Sequence, residues 1–201
     1  MNRDSTSEAK VRPLRERLRE ETARAIAAAA EEVFAARGLR DAKIEEIAAR
    51  AGVSVGTVYN HFEDRTALFR HLVGVRKKEL VQQLDESLAA TAKQPFDQQL
   101  RHFARAVLGH FEQHREYCRI SVEEGQQVAP SEAFKEVQER VEAIMKRGTQ
   151  QKKLRANALW PTLFMGAARS FLVYDLRNPG ALTLDQRTDA FLDFFLRGAQ
   201  A

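Results

Sequence analysis

Residues 54–61, SVGTVYNH, hold the most distinctive set of hydrogen-bonding side chains in this chain of 201 residues. Thr57, Asn60 and His61 supply donors and acceptors, and Tyr59 adds an aromatic hydroxyl group. Two valines and a glycine are interleaved with them. If the segment is helical, its short polar groups could approach the base edges and phosphates of a nucleic acid, which are rich in complementary donors and acceptors.

A second candidate for chemistry is the pair His110 and His114, whose spacing of four residues on one helix suits a metal ion. The intervening Phe111-Glu112-Gln113 does not place a glutamate as a zinc-protease motif does, and no third ligand is identifiable. An all-α enzyme that uses these histidines with Glu112 or Glu116 is the rival hypothesis. Because no nucleophile, base and orienting group occur together, we predict no enzyme activity, no catalytic residues, no metal and no cofactor.

Composition limits the class of protein. Hydrophobic residues make up 44% and charged residues 30% of the chain, enough for one large helical core or two small domains. No apolar run reaches the roughly 18 residues of a membrane span, and the first 20 residues have no apolar signal-peptide core. Cys118 is the only cysteine, which excludes an internal disulfide and favours a small core residue over a redox switch. We predict a cytoplasmic protein with no membrane partner.

The positive charge is unevenly distributed. Residues 1–78 contain 16 Lys or Arg against 12 Asp or Glu, whereas residues 79–201 contain 16 of each. The whole net charge of +4 therefore belongs to the segment that contains residues 54–61. An excess of basic residues indicates an anionic partner.

The elements that must position residues 54–61 are helices, because helix formers dominate and alternating β-branched runs are absent. We predict an all-α fold of about nine helices, separated by Gly and Pro. The predicted ranges are 20–37, 44–51, 55–62, 65–91, 95–114, 116–125, 131–153, 158–177 and 183–198. The first of them has one apolar stripe, formed by Ile26, Ala29, Ala30, Val33 and Phe34. Gly38 is expected to end it in a left-handed conformation.

Two short helices meet around Gly52-Val53-Ser54, and Ser54 is placed to cap the second. At 100° per residue, Ile44, Ile47, Ala48 and Ala51 share one face of the first. In the second, Val55, Val58, Tyr59 and Phe62 point inward, and Gly56, Thr57, Asn60 and His61 point outward. Two short helices joined by a glycine-containing turn predict a helix-turn-helix, whose second helix enters the major groove of DNA.

The segment AIAAAAEEVFAARGLRDAKIEEIAARAGVSVGTVYNHFEDRTALF, at residues 25–69, resembles the N-terminal DNA-binding domain of the TetR family of transcriptional regulators. The resemblance rests on the helix end at Phe34–Gly38, on Ile47-Ala48, on the turn Ala51–Ser54 and on Thr57–Phe62. Leu68-Phe69 follows at the spacing of the family's fourth helix. The other two thirds of the chain shares only the family's helical layout.

The resemblance implies a homodimer with two helix-turn-helix heads and a C-terminal domain that binds an unidentified small-molecule effector. It implies a repressor of a palindromic double-stranded operator, released by the effector; the alternatives are an activator or a regulator that needs its effector to bind DNA. By analogy, Thr57 and Asn60 contact base edges, while Tyr59 and His61 contact phosphates. The full set of predicted DNA-binding residues is Lys43, Ser54, Gly56, Thr57, Tyr59, Asn60, His61 and Arg65.

Two residues depart from the family pattern. Lys43 stands where the family has a capping Thr or Ser, so it can contact phosphate but cannot cap the second helix through an oxygen. Arg65 replaces the usual Lys at the start of the fourth helix and adds bidentate geometry towards phosphate. The predicted organisation is a basic, partly disordered arm over 1–19, a helix-turn-helix domain over 20–66, and a ligand-binding and dimerisation domain over 67–201. The alternative for the end of the arm is that Leu14 to Arg19 extend the first helix.

The C-terminal domain offers only general signals. Large or adaptable side chains that could line an effector pocket are Phe103, Phe111, Tyr117, Met145, Trp160 and Phe164, although such residues at helical spacing are more often plain core. The last two helices have more apolar surface than one chain covers, which predicts a four-helix contact between two copies. The residues assigned to that interface are Ala167, Phe171, Leu172, Phe191 and Phe195.

Overall fold

A computed structural model describes residues 13–123 and 134–199, with side chains to residue 197. Within these residues the fold consists of nine helices and no sheet, which confirms the predicted all-α class. The helices are α1 (Leu14–Asp41), α2 (Ile44–Ala51), α3 (Val55–His61), α4 (Arg65–Ala90), α5 (Phe96–Gln113), α6 (Arg115–Glu123), α7 (Lys135–Gln150), α8 (Trp160–Arg177) and α9 (Leu184–Ala199). The predicted arm over 1–19 falls largely outside the described residues.

Helix α1 differs from its prediction at both ends. It begins at Leu14 instead of residue 20, as in the alternative that extends it over Leu14–Arg19, because the helix formers between Leu14 and Arg24 continue without a break. Gly38 interrupts the helix at a φ of 77°, in the left-handed region as predicted, but its ψ of 167° is extended instead of helical. The backbone resumes helical hydrogen bonding to Asp41 after this kink.

The N-terminal core packs α1, α2 and α3 against the first turns of α4. Phe34 and Phe69 are buried completely and meet edge to face, with ring centroids 5.7 Å apart. Helix α6 adds Tyr117, Cys118 and Ile120 to the same hydrophobic cluster, although it is distant in sequence. The head that contains α2 and α3 is therefore packed directly against α6.

A second hydrophobic cluster fills the space between α4, α5, α7, α8 and α9. Phe164 lies at its centre and has its ring centroid 5.8 Å from Phe103, 4.9 Å from Phe191 and 5.6 Å from Phe195. Helix α4 contributes to both clusters, since its first half packs with the head and its second half with α5 and α7. It is thus the structural link between the two clusters.

Several helix ends follow the sequence signals closely. Asp64 caps α4 by accepting a hydrogen bond from the Ala67 backbone N–H at 2.6 Å, and Pro95 precedes the first residue of α5. Pro161 lies in the first turn of α8, where its missing N–H costs no helical hydrogen bond. No helix within 13–123 or 134–199 is long and apolar enough to cross a membrane.

Candidate nucleic-acid interface

Helix α2 is held against α1 by burial and by ion pairs. Ile44, Ile47 and Ala48 are buried, as the predicted face requires. On the outer side, Arg50 contacts Glu32 of α1 at 2.9 Å, and Glu46 lies 3.6 Å from Arg37. These exposed pairs contribute little individually, so burial of the apolar face fixes α2.

The turn between α2 and α3 depends on Gly52. Its φ of 67° and ψ of 29° are left-handed, a conformation that glycine adopts without steric cost. The N–H of Val53 then donates to the Ala48 carbonyl at 3.0 Å, which closes the turn. The chain is thereby redirected so that α3 can cross α2.

Ser54 fixes the first turn of α3. Its Oγ accepts a hydrogen bond from the Thr57 backbone N–H at 3.0 Å, which confirms the predicted cap. The same Oγ lies 2.8 Å from the Thr57 hydroxyl oxygen. The Thr57 side chain is therefore held in one orientation before any partner arrives.

The two faces of α3 are clearly divided, with one correction. Val58 and Phe62 are buried, Val55 is half-buried against the same core, and Gly56 and Asn60 are exposed. Tyr59 is 53% exposed, so the prediction that it points inward is wrong. At 100° per residue Tyr59 lies about 70° from the midline between Val55 and Val58, so in a helix of seven residues it falls outside the stripe that reaches the core.

Neither the backbone conformation nor the packing around position 56 requires a glycine there. Its φ is not in the positive range, and an added Cβ would meet, among the described atoms, only Ser54 Oγ, at an ordinary contact distance of 3.7 Å. The missing side chain instead lowers the outer surface of α3 beside Thr57 and Asn60. A flat helix surface of this kind permits close backbone approach to a partner.

Two basic side chains flank α3. Lys43 is exposed at the start of α2 and, among the described contacts, makes no capping hydrogen bond, as its residue type implies. Arg65 is exposed at the start of α4 and donates to the Ala42 carbonyl at 3.4 Å. This contact ties Arg65 to the residue before Lys43, so the two positive charges occupy the same side of the head.

His61 is directed away from this flat surface. It is half-buried beside a depression of about 360 Å³ between α1, α3 and α4, whose lining is Glu16, Arg19, Glu20, Ala23, His61, Phe62 and His71. The ring of His71 lies 5.1 Å from that of Phe62. Burial and the charge of Lys78 lower the pKa of His71. The assignment of His61 to phosphate contact stays a prediction.

The residues predicted to line a pocket fall into two groups. Phe103, Met145 and Phe164 are buried in the C-terminal cluster, and the half-buried Trp160 packs against it. Tyr117 lies elsewhere, 6.1 Å from Phe69 between ring centroids in the N-terminal cluster. Phe111 packs against both clusters. Tyr117 is thus separated from the aromatic core because α6 turns its apolar face towards the head.

The residues assigned to the dimer interface differ in their exposure within one chain, and their assignment stays a prediction. Leu172, Phe191 and Phe195 are buried within their own chain. Leu172 packs in the N-terminal cluster with side chains of α6, and Phe191 and Phe195 pack in the C-terminal cluster. Ala167 and Phe171 are half-buried. The apolar side chains that α8 and α9 and the residue preceding α8 leave exposed are Leu159, Leu163, Tyr174 and Phe194.

His110 and His114 lie next to each other, with ring centroids 4.6 Å apart. Both are buried, and His114 Nε2 is 3.3 Å from a carboxylate oxygen of Glu79. Burial, the neighbouring His114 and the charge of Arg76 lower the pKa of His110 to about 3, so it is neutral near pH 7. A group of three or more His, Cys, Asp or Glu suited to a metal ion is not found among the described residues.

Cys118 is also buried, in the N-terminal cluster. Burial raises the pKa of its thiol to about 12, with a further contribution from the charge of Glu31. The thiol is therefore protonated at neutral pH and unreactive, which agrees with a packing role.

Comparison with known proteins gives the same assignment of the head. Residues 26–72 match the family described as bacterial regulatory proteins, tetR family. The HTH-type transcriptional repressor BepR of Brucella suis biovar 1 (strain 1330) is 46% identical over 54 residues, which are 27% of this chain and 26% of BepR. The HTH-type transcriptional regulator SrpR of Pseudomonas putida is 41% identical over 61 residues, 30% of this chain and 29% of SrpR. The match thus spans little more than a quarter of these relatives.

The likeness of fold extends further than the likeness of sequence. The structure of the transcriptional regulator FadR from Bacillus subtilis, solved with stearoyl-CoA, superposes with a TM-score of 0.74 at 18% identity. The superposition covers 87% of this chain and 98% of FadR. The helix-turn-helix of α2 and α3 thus lies at the N-terminal end of an all-α fold that FadR shares. The assignment to the tetR family of bacterial regulatory proteins covers residues 26–72, which form the helix-turn-helix head.

Proposed function

We propose that this protein is a homodimeric transcriptional repressor that binds a palindromic operator through α3 and is released by a small-molecule effector. The observation that carries the proposal is the outer surface of α3. The fold does not require a glycine at position 56. Gly56 lies beside the exposed Asn60 and beside Thr57, whose side chain Ser54 holds in place. The repressor BepR, matched over the head, supports the direction of regulation.

Affinity and specificity come from different residues in this proposal. Lys43 and Arg65 neutralise phosphates of the DNA backbone and position the head. The exposed Tyr59 donates a hydrogen bond from its hydroxyl group to the same phosphate backbone. Thr57 and Asn60 contact base edges in the major groove, where an amide side chain can pair with adenine. Ser54 acts mainly through its cap, and Gly56 acts by allowing the approach.

The dimer forms through the exposed apolar surface of α8 and α9. Phe194, 67% exposed, and Tyr174 and Leu163, each about half exposed, are large side chains that a second copy would remove from water. Gly166 and Ser170 lie on the exposed side of α8 and are small enough for the helices to approach closely. A two-fold contact of these helices presents two heads, as a palindromic operator requires.

The effector is an apolar small molecule that enters the C-terminal aromatic cluster. The cluster places Phe103, Phe164, Phe191 and Phe195 around one centre with few polar groups, and Trp160 packs at its edge. FadR, which shares the fold, was solved with stearoyl-CoA. Separating these rings to admit a ligand would move α5, α8 and α9, and thereby change the spacing of the heads.

The test of the proposal is DNA binding by Asn60→Ala and Thr57→Ala, compared with the unmodified protein. We expect each substitution to weaken operator binding by about 1–3 kcal/mol per lost base contact and to leave binding to random DNA nearly unchanged. Fluorescence anisotropy with operator and scrambled duplexes at one salt concentration measures both. Equal weakening on the two duplexes would show that these side chains do not read sequence.

A further inference from the structure

A continuous set of charged contacts runs from α9 through α8 to α6. The carboxylate of Asp175, on α8, contacts two guanidinium groups through different oxygens. Its Oδ1 lies 2.8 Å from Arg187 of α9, and its Oδ2 accepts from Arg115 of α6 at 3.0 Å. Arg115 also donates to the main-chain carbonyls of Asp175 and Leu176, in the last turn of α8. One arginine at the start of α6 thus holds the end of α8.

The same helix α6 is attached to the head at its other end. Arg119, one turn after Arg115, donates to the Ala35 carbonyl of α1 at 3.1 Å. Glu116 and Glu123, each 3.0 Å away, hold the Arg119 guanidinium in this direction. Ala35 lies in the turn of α1 that ends at the Gly38 kink, where helix carbonyls lack their usual partners.

The burial of these charges indicates a positional role. Arg187 is only 4% exposed, and it also pairs with Glu112 of α5 at 2.9 Å, so the cluster has two positive and two negative charges. Buried ion pairs add little net stability compared with apolar side chains of similar size, but removal of one partner is costly. Each carboxylate oxygen of Asp175 contacts an arginine of a different helix. Both contacts can therefore form together only when α6, α8 and α9 keep these relative positions.

We propose that this connection, from Arg187 through Asp175, Arg115 and Arg119 to Ala35, fixes the position of the head relative to α8 and α9. The inference rests on the proposed function, in which α8 and α9 form the dimer. Half-sites of an operator lie a whole number of helical turns apart, so both heads can bind together only if their separation is held. Asp175, Arg115 and Arg119 are therefore positioning residues for two-headed binding.

The experiment compares a full palindrome with a duplex that contains a single half-site, using Arg119→Gln, Arg115→Gln and Asp175→Asn. Each substitution leaves the DNA-contacting residues intact. We expect the preference for the palindrome over the half-site to fall about tenfold or more, because the second head loses effective concentration. Half-site affinity should stay within about twofold, since one head binds it alone. Arg101→Gln, which removes the exposed pair Arg101–Asp189 between α5 and α9, is the matched control and should keep the preference.

Each outcome decides between the explanations. A retained preference in folded, dimeric Arg115→Gln and Arg119→Gln would overturn the inference while leaving the proposed function intact. Equal losses on both duplexes would also overturn it, because they would show damage to the head itself. If the unmodified protein shows no preference for the palindrome, the proposed function fails. The two arginine variants decide the question even if Asp175→Asn does not fold, because Arg115 and Arg119 are partly exposed.

Discussion

A substitution at Gly56 is expected to affect stability and DNA affinity in opposite directions. We expect Gly56→Ala to keep or slightly raise stability, by up to about 0.5 kcal/mol, because alanine is the better helix former and the new methyl group has room. On DNA the same methyl group enters a close contact, and affinity should fall by roughly 1–3 kcal/mol. Thermal unfolding and operator titration measure the two effects.

Gly74→Ala is the control for this substitution. Gly74 lies inside α4, and an added Cβ there would have no neighbour within 4 Å among the described atoms. It should stabilise the protein by up to about 1 kcal/mol without changing operator affinity. If Gly56→Ala also leaves affinity unchanged, the outer surface of α3 is not the DNA-contacting surface.

Lys43 offers a second case in which one residue has opposed effects. Lys43→Ser should stabilise the protein by about 0.5–2 kcal/mol, because serine can cap α2 and the positive charge is removed from the helix N-terminus. It should also reduce the slope of log affinity against log salt by about 0.9, the effect of one lost phosphate contact. Denaturant unfolding and a salt series test the two parts; an unchanged slope would remove Lys43 from the phosphate contacts.

At the scale of the element, the proposed dimer depends on the exposed face of α9. We expect Phe194→Lys to weaken dimerisation by about 2 kcal/mol or more, because a charge would enter the proposed contact in place of an exposed aromatic side chain. Sedimentation velocity measures the association. Leu18→Lys, at a 52% exposed leucine on α1, is the control and should leave the dimer intact. A folded, fully dimeric Phe194→Lys protein would exclude this surface.

Elements with a definite start or end signal could be predicted from the sequence. Ser54, Asp64 and Pro95 each begin a helix as expected, since a cap or a fixed φ acts locally. The sequence leaves the start of α1 between two alternatives, because a long run of helix formers contains no local start signal. The exposure of Tyr59 could not be predicted, because a short helix buries only its central stripe.

For α9, the sequence could not predict which face packs against the chain's own core. Apolar residues spread over about two thirds of the circumference of this helix, so the sequence indicates burial on more than one side without saying which side faces which partner. Phe191 and Phe195 face α8 and the chain's own core, and Phe194 is directed outward. The assignment depends on how α8 and α9 cross, which is a long-range property. The same holds for α6, whose contact with the head joins residues about 80 positions apart.

At the scale of the whole molecule, the buried histidines predict a pH dependence of stability. The pKa of His110 is about 3 in the folded chain and 6.5 when unfolded, so below pH 6.5 the unfolded state binds a proton that the folded state does not. The contribution of His110 to the free energy of unfolding is fully present above pH 6.5. It should be lost at roughly 1.4 kcal/mol per pH unit as the pH falls from 6.5 to 3. The pKa of His114 is lowered too, which adds to the loss.

Denaturant unfolding at several pH values measures this slope. His110→Gln should flatten it below pH 6.5, because the titrating group is removed. His102→Gln, at an exposed histidine of the same helix α5, should leave the slope as it is. A slope that His110→Gln does not change would assign the acid sensitivity to other groups.

The central claim is that two heads held by one dimer bind a palindromic operator. Selection of bound duplexes from a random library with the purified protein, repeated at raised salt, tests it most directly. We predict an enriched palindrome whose half-sites are one or more helical turns apart, with its enrichment retained while non-specific binding is lost at raised salt. Folded, dimeric protein that enriches no sequence at either salt concentration would contradict the claim.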